Sequence, residues 1–480
     1  MDSSQAYEIA REAVEQLAQE KGKDATFPFD AIWNYVPNGA DVPSLLRPAQ
    51  ANRLRRDGYI ERTGKAIAAQ SKSRAGNQTA EYKLGIRFQQ NLQQTETPAS
   101  LRLEGLHVTN YRVLQNIKID RVTPLAAFVG ANGSGKSTIF DVISFLSDCF
   151  TFGVERALQA RGGFRELRSK GSTDGAITFK VMYREASGTR LKYELAIYED
   201  SNYDPHVEEE LLTEVGETNP PLLSFHEGAG GYVDEQNPKK RYTEAFQEPY
   251  VLAVSALGQR FPRIAALHSF ITDWYLSSVR IDRIRIGSEF GRTDQLSITG
   301  DNLAQVIRQM EEQEPNQLKQ LMDKLAQWIP MLDKIETETG TEGRLLLQLR
   351  DHPFKKPIPA QFVSEGTLKM LAYLTVLYST HTPQLIGLEE PENFLNPRLL
   401  RELAETCRAV AEQPQLLVTT HSPFFVNSLQ PEEVWVLNRN SSGYTQVQRA
   451  ADILGIPEFM KHGAQLGDLW MEGHFRTAKK

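Results

Sequence analysis

The chain has 480 residues, 40% hydrophobic and 24% charged, with a formal net charge of −7 and two cysteines, Cys149 and Cys407. Such a length predicts about three units rather than one domain. The composition excludes collagen-like, coiled-coil-only and wholly disordered chains, the cysteine count excludes a disulfide framework, and no apolar run reaches the roughly 20 residues of a bilayer span. A cytoplasmic protein without a membrane partner is expected.

The first 88 residues predict a small helical domain with a hairpin. Ile9, Ala13 and Leu17, with Ala6 and Ala10, follow helical spacing, and Phe29, Ile32, Trp33 and Val36 repeat it over a shorter helix. A third helix is expected from Pro48 to Asp57, with Pro at its start and Gly58 at its end. Two strands follow, Tyr59–Arg62 and Glu81–Leu84, around the polar tip SKSRAGNQ. Three helices and then a two-stranded wing is the order of a winged helix. Between Arg47 and Arg87 stand ten basic and three acidic residues, a local +7 within a −7 chain. Such asymmetry marks a segment with its own partner. Duplex DNA is the expected one: Arg53, Arg55 and Arg56 on phosphates or in a groove, Lys72 and Arg74 on the neighbouring backbone. A protein-binding winged helix with a solvated basic face is the alternative.

Residues 89–100 (QQNLQQTETPAS) read as a polar linker, and 101–480 as the main body. Leu101 opens a strand-rich stretch ending at Phe128–Val129. There Gly130-Ala131-Asn132-Gly133-Ser134-Gly135-Lys136-Ser137-Thr138 matches the phosphate-binding loop and opens a helix to about Phe150. Glycines let successive N–H groups converge on phosphate oxygens, and the helix N-terminus adds positive field. Lys136 would reach the β- and γ-phosphates, and the Ser137 hydroxyl would bind Mg²⁺. The segment RGGFRELRSK (161–170) reads equally as a second basic patch or as a solvated turn, and Gly228–Lys240 as a mobile loop. Residues 176–216 alternate like strands, residues 301–329 show helical spacing, and Arg344–Arg350 is an expected strand.

The last third alternates apolar strands with helices, as a parallel sheet requires. Ser364 caps a helix expected over Thr367–Tyr378; alone, its N-terminus with Ser364 and Gly366 reads as an ordinary helix cap, with a phosphate contact as the alternative. Leu385–Leu388 is an apolar strand ending in Glu389 and Glu390. Two adjacent carboxylates at a buried strand end are costly without a cation, so Glu389 is the expected Mg²⁺ ligand, mostly through water. Glu390 would orient or deprotonate the attacking water. The next strand, Gln415–Thr420, delivers His421 to the same ligand-facing end, within reach of a γ-phosphate or that water.

In this order, GANGSGKST, SEGTLKML, LIGLEEPENFLNP and LLVTTHSPFFV resemble the ABC-type ATPase head of bacterial AAA-family predicted ATPases. These are related to overcoming-lysogenisation-defect, RecF and SMC heads. The resemblance covers roughly 101–475 and is vague from about 170 to 345. It implies an α/β P-loop head with a mixed, largely antiparallel lobe inserted at about 165–350, beside the small N-terminal winged helix. It makes Gly130–Thr138 Walker A, Ser364–Thr367 the signature, and Glu389 and Glu390 Walker B with its base. Asn393–Pro397 becomes the D-loop and His421 the switch histidine. It also implies ATP and Mg²⁺ as ligands and a homodimer in which one copy's signature covers the other's ATP. Glu389 stands where Asp is usual and Asn396 where His is common, and no Q-loop glutamine can be placed. Similar heads work with a separately encoded nuclease or toxin in Septu- and PARIS-type phage defence. The implied function is an ATPase that couples nucleotide state to DNA or such an effector. A DNA-repair or recombination ATPase, and a winged-helix regulator that only binds ATP, are the alternatives.

Overall fold

The computed structural model describes residues 101–475 apart from 173–174, 203, 217–219, 235–236, 238–239, 259–260, 289–292, 294, 341–342, 380 and 412–413; before residue 101 it describes residues 9–10, 13–14, 17, 26–28, 32, 54, 60–68 and 78–84. The chain divides into two units, Met1–Ala99 and Ser100–Lys480. In the first, Ala10, Ala13, Val14 and Leu17 are helical and buried, on the predicted spacing. Its sheet has three strands in the order β1 (Thr26–Pro28), β3 (Gln78–Leu84), β2 (Ile60–Ala68). Both hairpin strands are longer than their apolar pattern, and the register shifts between Arg62 and Ala66. β1 pairs antiparallel with β3 and was not foreseen, because three residues are too few to show a period. Of the predicted third helix, Leu54 is described, as helical and buried. Arg53, Arg55, Arg56, Lys72 and Arg74 lie outside the described residues.

The second unit opens with the antiparallel pair β4 (Arg102–Tyr111) and β5 (Leu114–Asp120), then β6 (Leu125–Gly130) and α1 (Lys136–Phe152). Two short helices, α2 (Val154–Gln159) and α3 (Phe164–Leu167), precede six strands: β7 (Ile177–Arg184), β8 (Arg190–Glu199), β9 (Pro205–Glu214), β10 (Leu223–His226), β11 (Ala229–Val233) and β12 (Arg241–Ala245). Then come α4 (Ala253–Leu257), α5 (Pro262–Thr272), β13 (Tyr275–Ser277), α6 (Ile281–Ile286), α7 (Leu303–Gln313) and α8 (Pro315–Trp328). The strands β14 (Leu332–Thr339), β15 (Leu345–Asp351) and β16 (Ile358–Pro359) form a small sheet. The last third runs α9 (Glu365–Tyr378), β17 (Leu385–Glu389), α10 (Pro397–Val410), β18 (Gln415–Thr420), α11 (Pro423–Val426), β19 (Val434–Arg439), β20 (Thr445–Arg449), α12 (Ile456–Lys461) and α13 (Leu466–Met471).

Two large sheets result. An eight-stranded antiparallel one has the order β12-β11-β10-β9-β8-β7-β4-β5, and a six-stranded one the order β13-β17-β18-β6-β19-β20. The second is parallel except at β20. Its central strands are apolar at nearly every position because both faces are covered. Alternate side chains serve two cores. Ala127, Val129, Ile386, Leu388, Leu416 and Val418 pack toward α7, α9 and α10. Ala126, Phe128, Leu385 and Leu417 pack toward α1 and the eight-stranded sheet. Gly387 sits where a Cβ would fall 2.3 Å from Leu276 Cδ2 of β13 and 2.9 Å from Phe140 Cε1 of α1, so any side chain there would force these two to shift.

Two expectations are corrected here. Residues 229–233 form β11, between β10 and β12, and not a loop. Gly230 and Gly231 are there for packing: added Cβ atoms would lie 2.1 Å from Ser224 O and 2.6 Å from Tyr242 O. The segment 161–170 exposes less basic charge than expected, although Arg165 and Lys170 remain exposed. Arg161 is 10% exposed and ion-paired with Asp141 and Asp148 at 2.8 Å, and Arg165 pairs with Glu199 at 3.0 Å.

The start of this unit is pinned to the base of the parallel sheet. Leu101 N donates to Gln384 Oε1 at 3.2 Å, and Leu103 exchanges two 2.9 Å hydrogen bonds with the buried side chain of Gln415. Gln384 and Gln415 stand at the beginnings of β17 and β18, and Gln415 N bonds Gln384 O at 2.9 Å.

A buried carboxylate marks the seam between β9 and α4. Glu210 is 1% exposed and accepts from Tyr193 Oη and Val254 N at 3.0 Å and from Ala253 N at 2.5 Å. Burial pushes its pKa up to about 7. A carboxyl raised in the folded state holds its proton more tightly than in the unfolded chain. Its contribution is therefore complete below the ordinary Glu range and is lost as pH rises through about 7. We expect wild-type unfolding free energy to fall by on the order of 3 kcal/mol between acid and pH 8 from this group. Glu210→Gln should flatten that slope in denaturant titrations at matched pH values; an unchanged slope would refute the assignment.

Candidate nucleotide site

Strand register decides which residues can meet. Thr419 and Thr420 of β18 pair with Phe128 and Val129 of β6, Glu389 of β17 pairs with Thr419, and Leu437 of β19 pairs with Gly130. The C-terminal ends of β6, β17 and β18 therefore form one edge. The loop after β6, the carboxylates after β17 and His421 after β18 all leave from it, which is where ligands bind in open α/β sheets.

The loop is built by close approach. At Gly130 an added Cβ would fall 2.4 Å from Leu437 O. Gly133 and Gly135 take left-handed φ values of 75° and 109°, which any side chain would strain. Gly135 caps α1 without a side-chain hydrogen bond, so the first amides of the helix are not spent on a cap. Ser134 Oγ is buried with no protein partner. Lys136 is 4% exposed, and its Nζ lies on Gly130 O at 3.0 Å and Ala131 O at 3.3 Å. Burial lowers its pKa, while the charges of Glu390, Glu392 and Glu389 pull the other way. The ammonium and the three carboxylates thus share one electrostatic neighbourhood. Asn132 and Ser137 are exposed on the loop, and Thr138 is half-buried.

Past β17 the chain turns sharply. Glu390 has φ 43° without being glycine, a left-handed backbone costing roughly 1–2 kcal/mol. Its N–H is held by Thr419 O at 3.0 Å and Thr419 Oγ1 at 3.2 Å. Its carboxylate lies between Asn393 Nδ2 at 3.1 Å and His421 Nε2 at 3.3 Å. Glu392 accepts from Thr420 Oγ1 at 2.9 Å and from His421 N, which locks the histidine's backbone to the same turn.

Ser364 caps α9, accepting from Thr367 N at 3.2 Å. Arg285 from α6 fastens this end, with Nη1 on Glu365 Oε1 at 3.4 Å and Nη2 on Val363 O at 3.1 Å. Ser364 and Gly366 are presented at that helix N-terminus; no bond joins them to the Walker loop of the same chain. Asn396, where His is common in similar heads, caps α10 through Arg398 N at 3.0 Å.

Several contributors escaped sequence reasoning. Arg439 Nε donates to Gly133 O at 2.6 Å, and Thr445 Oγ1 to Ser134 O at 2.7 Å, so the β19–β20 hairpin walls the loop. Asn393 was read as part of the D-loop, not as the partner of Glu390. Thr419, Glu392 and Lys369 carried no signal of their own. Only the PEN run beside the paired glutamates pointed toward two of them.

The family profile described as "AAA domain, putative AbiEii toxin, Type IV TA system" matches residues 125–427, from β6 to just beyond α11. The chain belongs to this family. Its second unit accordingly contains an AAA-type, nucleotide-binding ATPase domain. No curated protein matches the chain. Among solved structures, the SmcHead bound to the C-winged helix domain of ScpA is similar at 15% identity over 72% of this chain and 97% of that one, with a TM-score of 0.48. The SMC head domain from Thermotoga maritima is similar at 13% identity, over 72% and 98%, with a TM-score of 0.40. The Smc head with an extended coiled coil, bound to the C-terminal domain of ScpA derived from Pyrococcus furiosus, gives 13% identity, 75% and 100%, and 0.47.

Proposed function

We propose that this AAA-family head hydrolyses ATP with Mg²⁺ in a site completed by a second copy of the chain, and that its nucleotide state is relayed to DNA or to a separately encoded effector in phage defence. One observation carries the reading: the register of β6, β17 and β18 brings the 130–138 loop with Lys136, the Glu389–Glu390 pair and His421 to a single sheet edge, where His421 Nε2 lies 3.3 Å from Glu390 Oε1.

The residues present suit both ligands. The amides of 130–138 and the unpartnered Ser134 hydroxyl form a polyphosphate cradle. Ser137 and Glu389 supply the oxygen donors a hard cation prefers. Mg²⁺ at that position would neutralise charge on the β- and γ-phosphates. Lys136 would leave its two loop carbonyls for the phosphate oxygens. Glu390, aimed by Asn393, would accept hydrogen from the attacking water, and His421 Nε2, beside Glu390 Oε1, would bond the γ-phosphate. Glu389, one methylene longer than Asp, would act through water.

The resemblance to ABC-type heads implies that one copy's signature covers the other copy's nucleotide, and Ser364, exposed at the N-terminus of α9 with Gly366 beside it, would make that contact here. Large apolar side chains flank the same elements: Phe362 is 77% exposed, Phe394 68% and Phe424 55%. Exposed aromatics around a polar site are the signature of a surface awaiting a partner. The test is phosphate release with Mg²⁺ and with chelator, alongside molar mass with and without ATP. ATP binding without turnover would leave a ligand-controlled regulator instead.

The defence reading rests on the family description, which names a putative toxin of a type IV toxin–antitoxin system. Stimulation of turnover by DNA ends or gaps would redirect it to repair. For the basic segment, changing Arg53, Arg55 and Arg56 together to Ala should weaken duplex binding across sequences. The slope of log affinity against log salt should fall by about 3. Fluorescence anisotropy of the full chain at several salt concentrations reads it, and an unchanged slope removes these three from the phosphate contacts.

A further inference from the structure

We propose that Lys369 is a positioning residue that couples the signature end of α9 to the general base, transmitting closure at Ser364–Thr367 into the direction of the Glu390 carboxylate. The inference rests on the reading of Glu390 as base.

Lys369 belongs to α9, in the turn after Gly366, and is 6% exposed. A lysine is rarely buried this far without a purpose, because replacing a buried cation by an apolar chain usually costs nothing. Its ammonium donates to Glu390 O at 3.1 Å and Asn393 O at 3.2 Å. The rings of Tyr373 and Phe394 lie 5.6 and 5.9 Å from it. Burial lowers its pKa to about 8, opposed by the charges of Glu392 and Glu390.

The two carbonyls bracket the turn that shapes the site. That turn needs left-handed backbone at Glu390 (φ 43°) and Phe394 (φ 70°), and neither is glycine. Strained conformations of this kind persist only when neighbours over-determine them. From one atom Lys369 holds the carbonyl of strained Glu390 and that of Asn393, the residue before strained Phe394. Asn393, whose carbonyl it holds, aims the Glu390 carboxylate through its own side chain at 3.1 Å. The helix also touches the turn directly: a Cβ on Gly366 would sit 2.6 Å from Phe394 O. Any displacement of the first turn of α9 must therefore be shared by residues 390–394. Glu392 extends the link to the backbone of His421.

The experiment compares Lys369→Met, Lys369→Arg and Glu390→Gln in the full chain, reading ATP affinity, kcat and thermal unfolding. Lys369→Met keeps length and packing but removes both donors. It should leave ATP affinity near wild type and lower the unfolding temperature only modestly, since two carbonyls lose their donor, while kcat falls about 100-fold, the loss typical of a misplaced catalytic group. Lys369→Arg, which restores donors and charge, should recover at least about a tenth of wild-type kcat. Should the methionine variant fail to fold, Lys369→Gln, one bond shorter and uncharged, reads the same split. Wild-type kcat in Lys369→Met, or a loss that tracks ATP affinity or unfolding temperature and is not rescued by Arg, overturns the proposal. Persistent turnover in Glu390→Gln would instead overturn the base assignment, whatever Lys369 does.

Discussion

Glu390→Gln should bind ATP with wild-type affinity, release no phosphate and accumulate as a closed dimer. The substitution is nearly isosteric, and the geometry predicts that the site survives it. An amide oxygen still accepts from Asn393 Nδ2, and the backbone of residue 390 keeps its two bonds to Thr419. What is lost is a basic oxygen. General-base catalysis is worth about 10²- to 10⁴-fold, so turnover should fall by that factor. Nucleotide affinity should not, because binding relies on the cradle across the sheet edge. Phosphate release, nucleotide titration and molar mass of one preparation check all three parts. Ordinary hydrolysis by this variant would mean that another group directs the water.

Lys136→Ala should fail at the earlier step. The wild-type ammonium is 4% exposed and faces the charges of Glu390, Glu392 and Glu389. Truncation removes the charged donor to the β- and γ-phosphates. It also leaves three carboxylates without their nearby cation, so an incoming polyphosphate meets uncompensated repulsion. Losing a charged hydrogen bond in a sheltered site costs up to about 3 kcal/mol, or roughly 100-fold in affinity. Equilibrium binding of a fluorescent ATP analogue measures it. Unchanged affinity would detach the loop from the chemistry. The contrast between the two variants is itself informative: one should lose affinity with the base intact, the other turnover with affinity intact.

The parts of this site that were legible in sequence are those whose chemistry is local. Gly130–Thr138 announces its backbone through glycine spacing, and Glu389–Glu390 announces paired carboxylates at the ligand-facing end of an apolar strand. β6, β17 and β18 read as buried because parallel strands covered on both faces leave no alternation. The groups that aim the chemistry were silent because their partners are distant in sequence. Thr419 meets Glu390 across 29 positions, Lys369 meets it across 21, and Arg439 reaches Gly133 across 306. None of these pairs leaves a periodic trace. β11 was misread for a related reason: its glycines mark strands pressed together, and composition alone makes that look like a loop. Glu210 was also passed over, since one glutamate among three in a row on β9 shows nothing of its burial.

The grip of Leu101 and Leu103 on Gln384 and Gln415 gives the ATPase head a mechanical axis. The two strands that begin under that grip carry the acid and the histidine at their opposite tips. Strands embedded in a sheet do not stretch, so they act as levers with one end at the polypeptide's entry and the other at the reactive edge. Traction on Leu101 and Leu103 would load those levers directly.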